Sequence, residues 1–201
     1  MLPEQAKAVA EHQRRRFNEL VDVFDRPQPP GVMARLWQIV ASAELRPGAV
    51  VLDVGTGTGV LIPLIQSYRP STVLACDVAE KMLQQVHDKY PLVHTYHGDI
   101  ISLALASTSV GAIFMNGMYG NIADKPAACR NVARMLRPGG WLAVSHPEGR
   151  AFVDQLRETS DLFIESLPTK EEFEALLGPL GLGVIAYRDE PKLYLMLARK
   201  N

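Results

Sequence analysis

The chain is short of cysteine, of net charge and of long apolar runs, and each shortage excludes something. Its only cysteines, Cys76 and Cys129, lie far apart and lack CxxC spacing. That excludes a disulfide scaffold and a cysteine zinc site, and suits a reducing compartment. The formal net charge is −1, so neither nucleic acid nor an anionic membrane is expected as the main partner. No apolar run reaches the ~18 residues a bilayer span requires. The opening MLPEQAKAVAEHQRRR lacks the apolar core of a secretory signal. Internal repeats and low-complexity tracts are missing as well. These absences point to a soluble, cytoplasmic globular protein. Its 201 residues suit one domain, burying roughly 70% of the surface exposed on unfolding.

Two helices are expected first, over 3–24 and 33–45, separated by the Pro-rich break Arg26–Gly31. Short β-branched runs then alternate with helical stretches. Strands are expected at 49–54, 71–77, 92–97, 110–116 and 141–146, and helices at 60–68, 80–89, 102–106, 125–136 and 151–157. The RPGG of 137–140 reads as a tight turn. Thr169 and Glu172 have capping-box spacing and open a helix to about Leu177. Two last strands, 182–189 and 192–199, joined at Glu190-Pro191, form an antiparallel pair. The fold expected is α/β: a doubly wound, Rossmann-like, mostly parallel sheet of seven strands with that antiparallel C-terminal pair. Residues 1–46 would form an N-terminal helical cap on a core of 47–201. Ligands of such sheets sit at the carboxyl ends of the strands, near the switch point.

The chemistry concentrates at those ends. In VLDVGTGTG, residues 51–59, Gly55, Gly57 and Gly59 stand between a strand and a helix. Glycines there permit positive φ and close approach of a ligand to backbone, although a tight turn alone needs them too. A dinucleotide fingerprint would place its third small residue at Val60, which is bulky, and no GK[ST] follows to make a P-loop. Asp77 ends the second strand, where an acid can accept from both ribose hydroxyls of NAD or of S-adenosylmethionine, or merely cap a helix. Asp99 is placed to accept from an adenine amino group, with the Ile100 amide at the ring edge; a turn aspartate is the plainer reading.

With VLDVGTGTG, CDVAEKML, HGDI and LRPGGWLAVSHP in this order, residues 45–201 resemble the class I S-adenosylmethionine-dependent methyltransferases. Phe24-Asp25 and Arg35–Trp37 resemble the ubiquinone and menaquinone small-molecule branch. The resemblance implies S-adenosylmethionine as cofactor. Gly55, Thr56, Gly57 and Gly59 would hold the methionine moiety with Asp53 behind them. Asp77 would bind the ribose, Val78 flank the adenine, Asp99 and Ile100 read its edge, and Asn116 border the site. A sulfonium cation suits carboxylates better than a phosphate cradle does.

The acceptor side follows the fourth and fifth strands. Asn116, Met118 and Tyr119 have the N-x-x-Y spacing of amino-group methyltransferases without the prolines, so Met118 and Tyr119 are expected to line a substrate pocket. Met115-Asn116 lack the acids of metal-dependent catechol enzymes. His94 and His97, three apart on a strand, point to opposite faces, and no metal is expected. His146 is the candidate general base for a hydroxyl acceptor, or a histidine bonded to nearby backbone. Glu148 and Arg150 are pocket candidates, Arg150 as a clamp for an acidic acceptor or as a solvated arginine. Arg14–Arg16 would spread over different helix faces, which favours a solvated surface over an RNA footprint. The function expected is methyl transfer to a small-molecule acceptor. The alternatives are an RNA or protein methyltransferase, or a cofactor-binding protein of this fold without catalysis.

Overall fold

A computed structural model describes residues 3–201, with side chains from Ala8 onward. Three helices come first: α1 (Pro3–Glu19), α2 (Val21–Phe24) and α3 (Pro30–Ser42). Strand and helix then alternate through β1 (Val50–Val54), α4 (Ile62–Gln66), β2 (Thr72–Asp77), α5 (Glu80–Lys89), β3 (His94–His97), β4 (Val110–Asn116), α6 (Lys125–Met135) and β5 (Leu136–His146). The chain ends with α7 (Gly149–Thr159), α8 (Lys170–Leu177), β6 (Leu182–Glu190) and β7 (Leu193–Lys200).

The seven strands make one sheet in the order β3-β2-β1-β4-β5-β7-β6. The first five pair in parallel, and β7 runs antiparallel to both β5 and β6. This is the expected architecture. Alternation along β1 shows how it buries two faces: Leu52 and Val54 join α6 and α8 on one side, and Val51 joins α3, α4 and Val86 of α5 on the other. Strand order reverses between β1 and β4, which opens a crevice at their carboxyl ends.

Four local expectations change. The helix over 3–24 breaks at Leu20, because Val21 turns in against Ala79 and Met82 beside Phe17. The helix expected over 33–45 is shifted: α3 starts at Pro30 and ends at Ser42, and it packs Leu36, Ile39 and Val40 against one face of the sheet. No helix forms over 102–106. Side chains of α6 have taken its carbonyls, with Asn131 donating to Leu103 O at 3.0 Å and Arg134 to Leu105 O at 2.7 Å. Tertiary bonds override a weak local preference there. The residues 137–140 belong to β5, where the ladder slips between the Val110–Leu136 and Ala112–Trp141 pairs. Gly140 is required at that slip, since a Cβ would meet Arg137 O at 2.9 Å and Gly111 O at 3.0 Å.

Candidate cofactor and acceptor site

A cavity of about 350 Å³ lies over the carboxyl ends of β1 to β5 and beneath α1, α2 and α3. Its floor is the loop after β1. There Gly55 and Gly57 have φ of +62° and +55°, conformations that a side chain resists. Gly55 also lies against Met118 from the β4 exit: a Cβ would come within 2.6 Å of Met118 Cγ. A Cβ on Gly57 would meet nothing within 4 Å, so this glycine borders open space. Gly59 is different. It does not line the cavity, and its Cβ would strike Ile62 and Tyr90 at 2.8 and 2.9 Å, so its role is to let the loop pack.

Carboxylates hold this loop. Asp77 Oδ2 accepts from Gly57 N and Oδ1 from Ala79 N, both at 2.9 Å. A carboxylate has about four acceptor positions, so capacity remains for a ligand. Burial pushes the Asp77 pKa upward, and backbone N–H groups from Ala79, Gly57 and Val78 partly oppose that. Asp53 lies deeper, outside the cavity lining, and accepts from Thr56 Oγ1 at 2.8 Å. Burial drives its pKa to about 7, with the Thr56 bond opposing and the nearby Asp77 adding to the rise. Thr56, Val78, Asp99, Ile100 and Asn116 all face the cavity. Asp99 Oδ1 accepts from Ile101 N at 2.9 Å, and Ile100 is placed by Asn131, which donates to its carbonyl at 2.7 Å. Asn116 Oδ1 accepts from Ser145 Oγ at 3.0 Å.

The acceptor-side residues divide. Met118, His146 and Glu148 line the cavity. Tyr119 does not line it: a single turn of tighter helix after β4 rotates its ring into the core, 5.2 Å from Phe173. Arg150 is neither clamp nor solvated. It donates to Asp189 at 2.8 Å, Tyr187 at 2.6 Å and Pro168 O at 2.9 Å, and also to Leu167 O, tying α7 to β6 away from the cavity. Arg35 of α3 does act on the site, holding Pro147 O and pairing with Glu148 at 3.0 Å. His146 is stacked at 5.3 Å on Phe152, and its Nδ1 accepts from Glu148 N at 3.2 Å. The neutral ring therefore carries its proton on Nε2. Burial lowers its pKa to about 4. Among the described residues no group of three or more metal-ligating side chains comes together.

The first three helices supply wall residues that the sequence did not mark as site residues: Gln13 and Phe17 from α1, Phe24 from α2, Val32 and Leu36 from α3. The only available signal was their placement on one helix face. The cap is latched on three sides. Arg14 and Asn18 reach Glu80 at 2.9 Å, Thr58 Oγ1 donates to Phe24 O at 3.1 Å, and Arg16 pairs with Asp161 at 2.8 Å.

A glycine loop and two strand-end carboxylates around a crevice at the switch point define a nucleotide-type cofactor site. Residues 52–144 match the family described as a methyltransferase domain. The chain is 31% identical over 147 residues to the 2-phytyl-1,4-naphtoquinone methyltransferase of Thermosynechococcus vestitus, across 67% of this chain and 65% of that protein. It is 36% identical over 104 residues to the demethylmenaquinone methyltransferase of Corynebacterium efficiens, across 51% of this chain and 43% of that one. The chain thus spans less than two thirds of these curated relatives. The structure of an S-adenosylmethionine-dependent methyltransferase from Aquifex aeolicus superposes with a TM-score of 0.71 at 19% identity, covering 92% of this chain and 98% of that one, a likeness of fold. Over residues 52–144 in sequence, and over most of its length in fold, the chain is similar to S-adenosylmethionine-dependent methyltransferases.

Proposed function

We propose that this protein transfers the methyl group of S-adenosylmethionine to a small, largely apolar acceptor held beneath α1, α2 and α3. The observation that carries this reading is that one cavity joins the glycine loop and its carboxylates to the apolar inner wall of the cap. The two relatives named for quinone methylation support a small-molecule acceptor. The residues present fit the cofactor. Gly57 and Gly117 both have positive φ and leave room where a Cβ would stand, which makes a cradle for a ligand. On this reading Gly55, Thr56 and Gly57 hold the methionine part and Asp53 secures Thr56. Asp77 receives the ribose hydroxyls, Val78 flanks the adenine, and Asp99 with the Ile100 amide reads its edge. Asn116 borders the reacting end, facing Met118 and His146.

Bound there, S-adenosylmethionine supplies a methyl group on a cationic sulfur. The work left to the chain is placement and exclusion of water, and placement is worth on the order of several kcal/mol. His146 enters as a hydrogen-bond donor. Its Nδ1 is already engaged by Glu148 N and its pKa lies well below neutrality, so on this reading Nε2–H donates to an acceptor oxygen, favours release of that oxygen's proton to solvent before transfer, and holds it in line with the methyl group. The general-base role expected from sequence would require the other tautomer. His146→Gln, which keeps an N–H donor, is expected to retain turnover within about fivefold, whereas His146→Ala loses about 10–100-fold; a base would be lost equally in both.

The reading is tested with S-adenosylmethionine radiolabelled in its methyl group. The protein is offered phenols and naphthoquinols in one set of reactions, and RNA or protein in another. Label passing into solvent-extractable product is the expected result. Label confined to RNA or protein would replace the acceptor class, and tight cofactor binding with no transfer anywhere would leave a binding protein.

A further inference from the structure

One side chain holds the turn after β5 from outside. Arg35 of α3 donates through Nε to Pro147 O and through a second guanidinium nitrogen to Glu148 Oε1 at 3.0 Å. Among the described residues, Pro147 O and the Glu148 carboxylate make no other hydrogen bond. Glu148 stands at the N-cap of α7, where an acceptor side chain ordinarily takes an N–H of the first turn. It makes no such bond, and its carboxylate reaches Arg35 instead. The two side chains are 19% and 32% exposed, so the pair is screened less than one in open solvent. Pro147 and Glu148 line the cavity and Arg35 does not, so Arg35 reaches the site through them. The backbone of the same turn engages the ring. Glu148 N donates to His146 Nδ1 at 3.2 Å, the long end of the usual range, so a small movement of residue 148 would break it.

We propose that Arg35 is a positioning residue: its grip on Pro147 O and Glu148 keeps Glu148 N on His146 Nδ1, and so fixes the ring with Nε2 protonated. This rests on the methyl-transfer reading above. A planar guanidinium suits the task, because its N–H groups at fixed angles hold two oxygens at once, where a lysine would be one mobile point charge. Val32 and Leu36, within one turn of Arg35, line the cavity, so a single helix sets both the apolar wall and the ring.

The experiment uses the full chain labelled with 15N. The ring signals of His146 are identified by their loss in His146→Gln. Wild type is expected to show one neutral tautomer, with Nδ1 bare and Nε2 protonated, and a slowly exchanging Glu148 amide. In Arg35→Met the two ring signals should move toward each other as the second tautomer is populated, and the Glu148 amide should exchange about tenfold faster. With phenols and naphthoquinols as acceptors, kcat should fall about tenfold while KM for S-adenosylmethionine stays within about twofold. Adding Arg35→Met to His146→Ala should cost nothing further, because Arg35 acts through that ring. An unchanged ring and amide in Arg35→Met overturn the proposal. So does a double variant in which the two losses multiply, which would make Arg35 merely structural. If Arg35→Met melts far below wild type, Glu148→Ala carries the measurement with α3 intact, and an unchanged ring there overturns the proposal. A wild type whose ring is held but which methylates none of these acceptors overturns the methyl-transfer reading instead, and the catalytic consequence of Arg35 with it.

Discussion

Gly57→Val is expected to abolish cofactor binding, with affinity for S-adenosylhomocysteine falling at least ~100-fold while the protein stays folded. Two effects contribute. Residue 57 has a φ of +55°, where a branched side chain is strained by roughly 1–2 kcal/mol. The added side chain would also stand in cavity space, since nothing lies within 4 Å of a Cβ there. Gly48 separates the two effects. It has a φ of +81° and equally open surroundings but lies outside the cavity, between α3 and β1. Gly48→Val should therefore carry comparable strain and bind normally. Calorimetry and thermal melts on both variants check this. Normal binding by Gly57→Val would reduce the loop to a turn.

Asp77→Asn is expected to weaken S-adenosylhomocysteine by about 10–100-fold. The charge on Asp77 strengthens each hydrogen bond from a ribose hydroxyl to roughly 1.5–3 kcal/mol. An asparagine keeps the volume but turns an N–H toward one of the backbone donors at Gly57 and Ala79. A pH series adds a second readout. Burial raises the Asp77 pKa, so the carboxylate that binds ribose is lost as pH falls through that raised value. Wild-type affinity should drop on acidification more steeply than the variant's, and the difference between the two curves belongs to Asp77. Equal affinities and parallel curves would take Asp77 out of the cofactor site.

Much of this was legible in the chain. Parallel strands buried on both faces read as short, largely apolar runs, and 50–54, 72–77 and 110–116 stand out for that reason. The glycine loop was legible because positive φ narrows the choice of residue so sharply. Arg150 and Tyr119 were misplaced by the same kind of reasoning. Counting residues beyond a strand end says that a side chain is near the crevice, but not which way it turns. After β4, one tight turn sends Tyr119 into the core. After β5, α7 begins at Gly149 and points Arg150 back toward Asp189 and Tyr187. Gly59 belongs to the loop by pattern, yet faces Ile62 and Tyr90 by geometry.

By itself, the sequence determined the sheet, its antiparallel end, the glycine loop and the two strand-end acids. Each depends on backbone demands that a short stretch of residues must satisfy locally. The wall of the cavity formed by α1, α2 and α3 was decided only in the tertiary structure. Gln13, Phe17, Phe24, Val32 and Leu36 come from three helices that by periodicity are ordinary amphipathic segments, and nothing in that pattern says what a face will cover. The latches from Arg14 to Glu80, Thr58 to Phe24 and Arg16 to Asp161 join residues far apart in the chain. Folding brought them together over the strand ends, and the wall they close is a property of packing across the molecule.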